Sequence, residues 1–181
     1  MAMFLVGCAS KSPPRSPHNL CAIFKEKPEW YKAAKASQKR WGTPVQIMMA
    51  MMYQESSYRH DARPPRDWFL FIPLARPSTA YGYAQALDGT WDQYLDEAGG
   101  FMASRDDFED AIDFIGWYNN KSRIKNKVSL WRADLLYLNY HEGWTGYARG
   151  SYKKKKWLRN VAAKVHRRAS DYGEQFRRCR L

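Results

Sequence analysis

Residues 43–58 read Thr43-Pro44-Val45-Gln46-Ile47-Met48-Met49-Ala50-Met51-Met52-Tyr53-Gln54-Glu55-Ser56-Ser57-Tyr58, and the stretch they open runs on to Gln85. Thr43 is a good N-cap, Pro44 suits a first helical turn, and Gln46 stands where a capping box wants Glu or Gln. The body of this predicted helix is apolar on every face, which places it inside a core rather than half in water.

At the end of that helix stands one carboxylic acid, Glu55. Apolar surroundings disfavour its charged form, and the negative end of the helix dipole disfavours it again. A carboxylic acid held neutral near pH 7 is what a general acid for glycoside cleavage requires. Alone, Glu55 reads better as a surface acid just past a core helix; the residues around it favour the first reading.

The 181 residues suit one domain plus a tail. Eight Trp, 12 Tyr and eight Phe furnish a core or a binding cleft. A formal charge of +12 implies an anionic partner or surface, or only solubility. Residues 1–8, Met-Ala-Met-Phe-Leu-Val-Gly-Cys, are too short to span a bilayer. Leu5-Val6-Gly7-Cys8 resembles the lipobox before an acylated cysteine. No Lys or Arg precedes Cys8, which suggests a natural start upstream of Met1. Residues 9–19 are rich in Ser and Pro and read as a disordered tether. The expected organisation is thus a signal remnant and tether over 1–19 and a folded domain over 20–181. With Cys8 carrying lipid, Cys21 and Cys179 remain at the two ends of the folded part. In an oxidising envelope compartment they read as a disulfide; in a cytosolic protein they would read as two free thiols.

Pro28 to Trp41 reads as a helix ended by Gly42. Arg59 to Asp67 is polar and broken by proline, so a loop. Trp68-Phe69-Leu70-Phe71-Ile72-Pro73-Leu74 is compatible with a strand, a buried loop or an exposed apolar tip. A helix starts at Asp88-Gly89-Thr90 with a Thr-x-x-Gln box and stops at Gly99-Gly100. The next opens at Ser104 to Asp107 and carries Phe108, Ala111, Ile112, Ile115 and Tyr118 on one face. Ser129 is expected to cap a helix that ends at His141-Glu142-Gly143. The last helix places Trp157, Leu158, Val161, Ala162, Val165, Ala169 and Tyr172 on its apolar face. No alternating run demands a sheet, and there is no internal repeat, phosphate-binding glycine loop or Cys/His cluster with zinc spacing. His60-Asp61 and His141-Glu142 are adjacent pairs, expected to point apart, so no metal or other cofactor is expected.

Three segments, in order, resemble the soluble lytic transglycosylase (SLT) domain, a lysozyme-like module of bacterial cell-wall enzymes. Glu55-Ser56 matches the family's catalytic Glu-Ser after an apolar helix. Gly82-Tyr83-Ala84-Gln85 stands where the family has Gly-Leu-Met-Gln. Asn139-Tyr140-His141-Glu142-Gly143 stands where it has Ala-Tyr-Asn-Ala-Gly. The match covers roughly residues 40–150. It implies a mainly α, lysozyme-like single domain with little or no β-sheet, acting on peptidoglycan glycan strands without a cofactor. By position, Glu55 would be the catalytic acid and then base. Gln85 would bind substrate or order the cleft, Tyr140 would place its hydroxyl near Glu55, and Ser78 would help orient the acid. Ser56, Tyr83 and His141 join these as substrate-contact candidates.

Departures accompany the resemblance. Tyr83-Ala84 replaces Leu-Met and alters the cleft wall; His141 replaces Asn. The separation between Glu55 and Gln85 is longer than the family's, with extra residues at about Pro64 to Ala75. This insertion is expected to pack beside the cleft with Trp68 as a sugar contact; packing on the domain and a membrane-facing tip are the alternatives. Most glycosidases need two carboxylates. Near Glu55 in sequence only Asp61 and Asp67 are available, which favours substrate-assisted cleavage over lysozyme-type hydrolysis. A peptidoglycan-binding lipoprotein without activity and a nucleic-acid binder complete the alternatives; the dispersed basic residues and absent nucleic-acid motifs argue against the last. The sequence thus predicts a monomeric lipoprotein anchored through Cys8 at the periplasmic face of the outer membrane, with no nucleic-acid partner.

Overall fold

The computed structural model describes residues 11–66, 68–69, 72–73 and 78–181. The chain runs α1 (Leu20–Glu26), α2 (Pro28–Trp41), α3 (Val45–Ser56), β1 (Trp68–Phe69), β2 (Ile72–Pro73), α4 (Asp88–Glu97), α5 (Phe108–Asn126), α6 (Ala133–Ala148), a 3₁₀ turn (Ser151–Lys154) and α7 (Lys156–Arg177). The protein is mainly helical, as the sequence predicts. The only strands among the described residues are β1 and β2, an antiparallel pair with Trp68 opposite Pro73 and Phe69 opposite Ile72. No helix among the described residues is long and apolar enough to cross a membrane. Cys8 and the side chains of residues 67–77 lie outside what is described, and the expectations attached to Cys8 and to the Trp68 side chain fall there too.

α3 is the central element. Val45, Ile47, Met48, Met49, Ala50, Met51 and Met52 are all buried, which accounts for a helix apolar on every side. Each fully buried methionine or isoleucine contributes roughly 1.5–3 kcal/mol of transfer free energy, and thioether flexibility lets four methionines fill an irregular interior. α7 packs along α3 and along α6, while α5 packs on α2. The α2–α5 approach is close because Gly116 faces Ser37 and Trp41; a Cβ there would lie 2.4 Å from Ser37 Oγ. Asp113 of α5 ties three helices together. It accepts hydrogen bonds from Arg40 and Trp41 Nε1 of α2 and from the Tyr94 hydroxyl of α4. Trp30 stacks on Phe108 with centroids 4.0 Å apart.

The start of α3 differs from the expectation. Thr43 is fully buried and its Oγ1 has no hydrogen-bond partner; the cap is supplied from α2, where Gln38 Oε1 accepts from Val45 N at 3.0 Å. Gly42, at φ 86°, turns the chain so sharply that Thr43 faces inward and its hydroxyl cannot reach the helix end. The box expected at Thr90 is absent too, since Gln93 donates instead to Glu97. α6 begins at Ala133 rather than Ser129, whose Oγ accepts from Trp131 N. At Gly143, held at φ 71° and ψ 160°, the regular helix breaks where the sequence places its end, and a further helical stretch runs on to Ala148. On α7, Trp157 leaves the apolar face and is 57% exposed.

α1 is an element that no sequence signal above identified. Asn19 caps it, its Oδ1 accepting from Ala22 N. The Ser/Pro-rich stretch read as a free tether is seated on the fold from residue 11. Tyr172 donates to Pro17 O, Gln175 Nε2 donates to His18 O, and Lys11 pairs with Asp106. Prolines restrict the unfolded segment and so lower the entropy lost on seating it. The expected disulfide is present: Cys21 of α1 joins Cys179, 158 residues away, with Cα atoms 5.5 Å apart.

Candidate active site

Glu55 occupies the last turn of α3, just before Ser57 closes the helix in a left-handed cap. Its carboxyl group is deeply set, and burial pushes its pKa from the ordinary 4.5 up to about 7; a hydrogen bond with Tyr137 of α6 pulls the other way. The residue keeps part of its surface open to solvent, as an acid that must reach a substrate has to. Tyr137 is itself buried, and burial together with the nearby Glu55 raises its phenol well above the usual range, so the hydroxyl remains a donor. Tyr140, one turn further along α6, has its pKa driven up by burial and then by Glu55. Its hydroxyl donates to the Ala84 carbonyl. Tyr118 packs edge-on against Tyr140 with centroids 4.9 Å apart, and its own hydroxyl donates to Asn139 O. Two rings from α6 and one from α5 thus form an apolar wall with fixed hydroxyls beside one acid.

The turn that receives Tyr140 is built by glycine and glutamine. Gly82 sits at φ 77°, and a Cβ there would lie 2.0 Å from Arg105 O, so no other residue fits. Gln85 is also left-handed, at φ 51°. Its Nε2 holds the turn closed by donating to Ala62 O at 2.8 Å and Gly82 O at 2.9 Å. A bridge between Tyr81 and Ala86 closes the loop. The turn is therefore rigid where it faces α6.

A family model described as a transglycosylase SLT domain matches residues 1–179. This chain belongs to the transglycosylase SLT domain family. No curated protein and no solved structure matches it. Membership points to transglycosylase chemistry on peptidoglycan and agrees with the helical fold around α3.

Within this SLT domain the positions singled out by sequence divide into two groups. Glu55, Tyr140 and the Gly82–Gln85 turn come together. Ser56 does not serve as a surface contact: it is buried, and its hydroxyl bonds back to Met52 O within α3. Tyr83 is core rather than cleft wall, 2% exposed, edge-on to Trp30 and Phe108. Its backbone position in a tight turn sends the ring inward, and the carbonyl of Ala84, not a side chain, meets α6. Ser78 caps its own turn, accepting from Ala80 N at 3.1 Å. The Gln85 amide is committed to its own turn. Both α6 hydroxyls lie near Glu55: Tyr137 lowers the carboxyl's pKa, while Tyr140, whose phenol Glu55 raises, donates to Ala84 O. Tyr137 was missed, though its signal was present: it stands three residues before Tyr140, hence on the same face of a helix.

His141 and Glu142 do not point apart. His141 Nδ1 lies 3.1 Å from Glu142 Oε1, at the last turn before the Gly143 kink, and the imidazole meets the edge of Trp157. Burial alone would raise the Glu142 carboxyl, but hydrogen bonds from Lys155, Ser151 and His141 hold it at about 2. Glu142 is thus a permanently ionised strut between α6 and the start of α7. No group of three or more metal-ligating side chains occurs among the described residues.

Proposed function

We propose that this SLT domain is a lytic transglycosylase that cleaves the β-1,4 bond between N-acetylmuramic acid and N-acetylglucosamine and leaves a 1,6-anhydromuramic acid end. The observation that carries the reading is Glu55: a deeply set carboxyl, protonated up to about pH 7, with Tyr137 as its hydrogen-bond partner. In the first step Glu55 gives its proton to the glycosidic oxygen as the bond to C1 breaks. In the second, the Glu55 carboxylate takes the proton of the muramic acid's own C6 hydroxyl as that oxygen bonds to C1. The acid ends protonated, no water is consumed, and one residue serves both steps. A pKa near 7 suits a group that must give and take a proton in the same cycle.

Tyr137 steadies the carboxylate formed between the steps by donating to it. Tyr140 fixes the wall through Ala84, and Gln85 keeps the turn in register. Two-carboxylate hydrolysis is less well supported. Glu142 is committed to Lys155 and Ser151. The proposal extends to an envelope lipoprotein acylated at Cys8 and acting as a monomer. The lipobox-like Leu5–Cys8 and the Cys21–Cys179 disulfide, a bond of oxidising compartments, support that location. Glu55→Gln tests the assignment. It should keep the fold and lose at least about 10²–10⁴-fold in peptidoglycan digestion; digestion at the wild-type rate would remove Glu55 from the mechanism.

A further inference from the structure

Beside the end of α3 lies a second concave site that the cleavage chemistry does not use. It is a groove of about 690 Å³ between α7, Gln54 of α3 and His18 of the N-terminal segment, with Tyr172 among its lining residues. Gln54 immediately precedes Glu55, so the groove opens at the same end of α3 as the acid. Its charged lining comes from one stripe of α7 and the residues just past it. Lys164, Arg167, Arg168, Asp171, Glu174 and Arg178 recur at three- and four-residue spacing. Arg168 is already fixed: its guanidinium lies 3.7 Å from the Tyr53 ring centroid and donates to His18 Nδ1 at 2.9 Å. Among the described residues, Lys164, Arg167 and Arg178 form no ion pair, and Lys164 and Arg167 are exposed.

The charge pattern selects a ligand. Four cations face two carboxylates in one groove. A continuous polyanion, whether nucleic acid or a sheet of anionic headgroups, would have to pass Asp171 and Glu174 at like-charge distance. A short chain carrying several free carboxylates and one free amine would satisfy both signs at once. On the reading that the substrate is peptidoglycan, the glycan carries such a chain: the stem peptide attached to each uncrosslinked muramic acid, with free carboxylates and a diamino acid. We propose that the α7 groove binds the stem peptide of the glycan strand positioned at Glu55. Lys164 and Arg167 take its carboxylates, and Asp171 or Glu174 takes its amine. The site would then favour strands that still carry uncrosslinked stems over bare glycan.

The test uses the full chain and the double variant Lys164→Glu/Arg167→Glu, whose exposed positions leave the core intact. By calorimetry at low salt, the free stem tetrapeptide should bind wild type, and the double variant should lose at least about tenfold in affinity, as expected for two reversed charge-assisted contacts. In digestion, KM on stem-bearing peptidoglycan should rise while turnover of amidase-stripped glycan strands stays at the wild-type value. Equal binding of the tetrapeptide to both proteins, or an equal loss on both substrates, overturns the proposal. So does binding only to phosphatidylglycerol vesicles, which would make the groove a membrane contact. If the protein cuts no peptidoglycan but binds the tetrapeptide through Lys164 and Arg167, the groove assignment stands and the cleavage reading falls.

Discussion

Replacing Glu55 by glutamine should make the protein more stable in alkali, even as it removes the proposed acid. The cause is the position of the carboxyl. Below the ordinary value of 4.5 the folded and unfolded chains both carry it protonated, and burying it costs little. As pH rises through about 7 the folded chain must bury a charge that the unfolded chain leaves in water, so stability present in acid is lost. At about 1.4 kcal/mol for each pH unit, a displacement from 4.5 to about 7 corresponds to roughly 3 kcal/mol. Residual exposure of Glu55 makes that an upper value. The amide of the Glu55→Gln variant cannot ionise and escapes the loss. Urea unfolding of both proteins at pH 4.5 and pH 8.5 measures the difference between them at each pH. The variant should gain on wild type by about 2–3 kcal/mol between the two, and most of the change should fall between pH 4.5 and about 7. A difference that does not vary with pH would mean that Glu55 titrates as an exposed acid, and the argument from burial would fail.

The other expectations come from neighbouring residues. In Tyr137→Phe the carboxylate loses its donor, so the Glu55 pKa should climb above about 7, and the alkaline limb of kcat/KM should move up by roughly one pH unit; an unmoved limb would detach Tyr137 from the acid. Cys21→Ser with Cys179→Ser opens a 158-residue separation and should cost about 4–5 kcal/mol in the chain-entropy picture, read by denaturation without reductant. Mass mapping of protein from the cell envelope should find the cross-linked Cys21–Cys179 peptide, and two free thiols would contradict it. Gly82→Ala forces a Cβ to 2.0 Å from Arg105 O at a left-handed φ and should destabilise the turn by at least about 2 kcal/mol, seen as an early thermal transition.

The parts of this fold that sequence made legible are those governed by local chemistry. Uniform apolarity marked α3 as a core helix, and three- and four-residue spacing marked α5. The end of α3 placed Glu55, and the two terminal cysteines anticipated a bond that only a folded chain brings within 5.5 Å. What escaped depended on tertiary neighbours. Thr43 is the right residue type for a cap, yet Gly42 turns it inward and Gln38 from another helix takes its place. Tyr83 looked like cleft lining because its sequence neighbours are; its ring is drawn inward between Trp30 and Phe108. Tyr137 and Tyr140 share one face, and the acceptor of the Tyr140 hydroxyl, Ala84 O, lies 56 residues away. Gly143 was legible by type, since the regular helix breaks there; the further helical stretch to Ala148 was not.

On the proposed mechanism one acid, Glu55, cuts the glycan by using the sugar's own hydroxyl instead of water. Purified sacculi digested with the wild-type chain, followed by mass analysis of the released muropeptides, test it directly. Essentially every product should carry a 1,6-anhydromuramic acid end, and Glu55→Gln should release none. Products with reducing muramic acid ends would mean a hydrolase that activates water, and would contradict it.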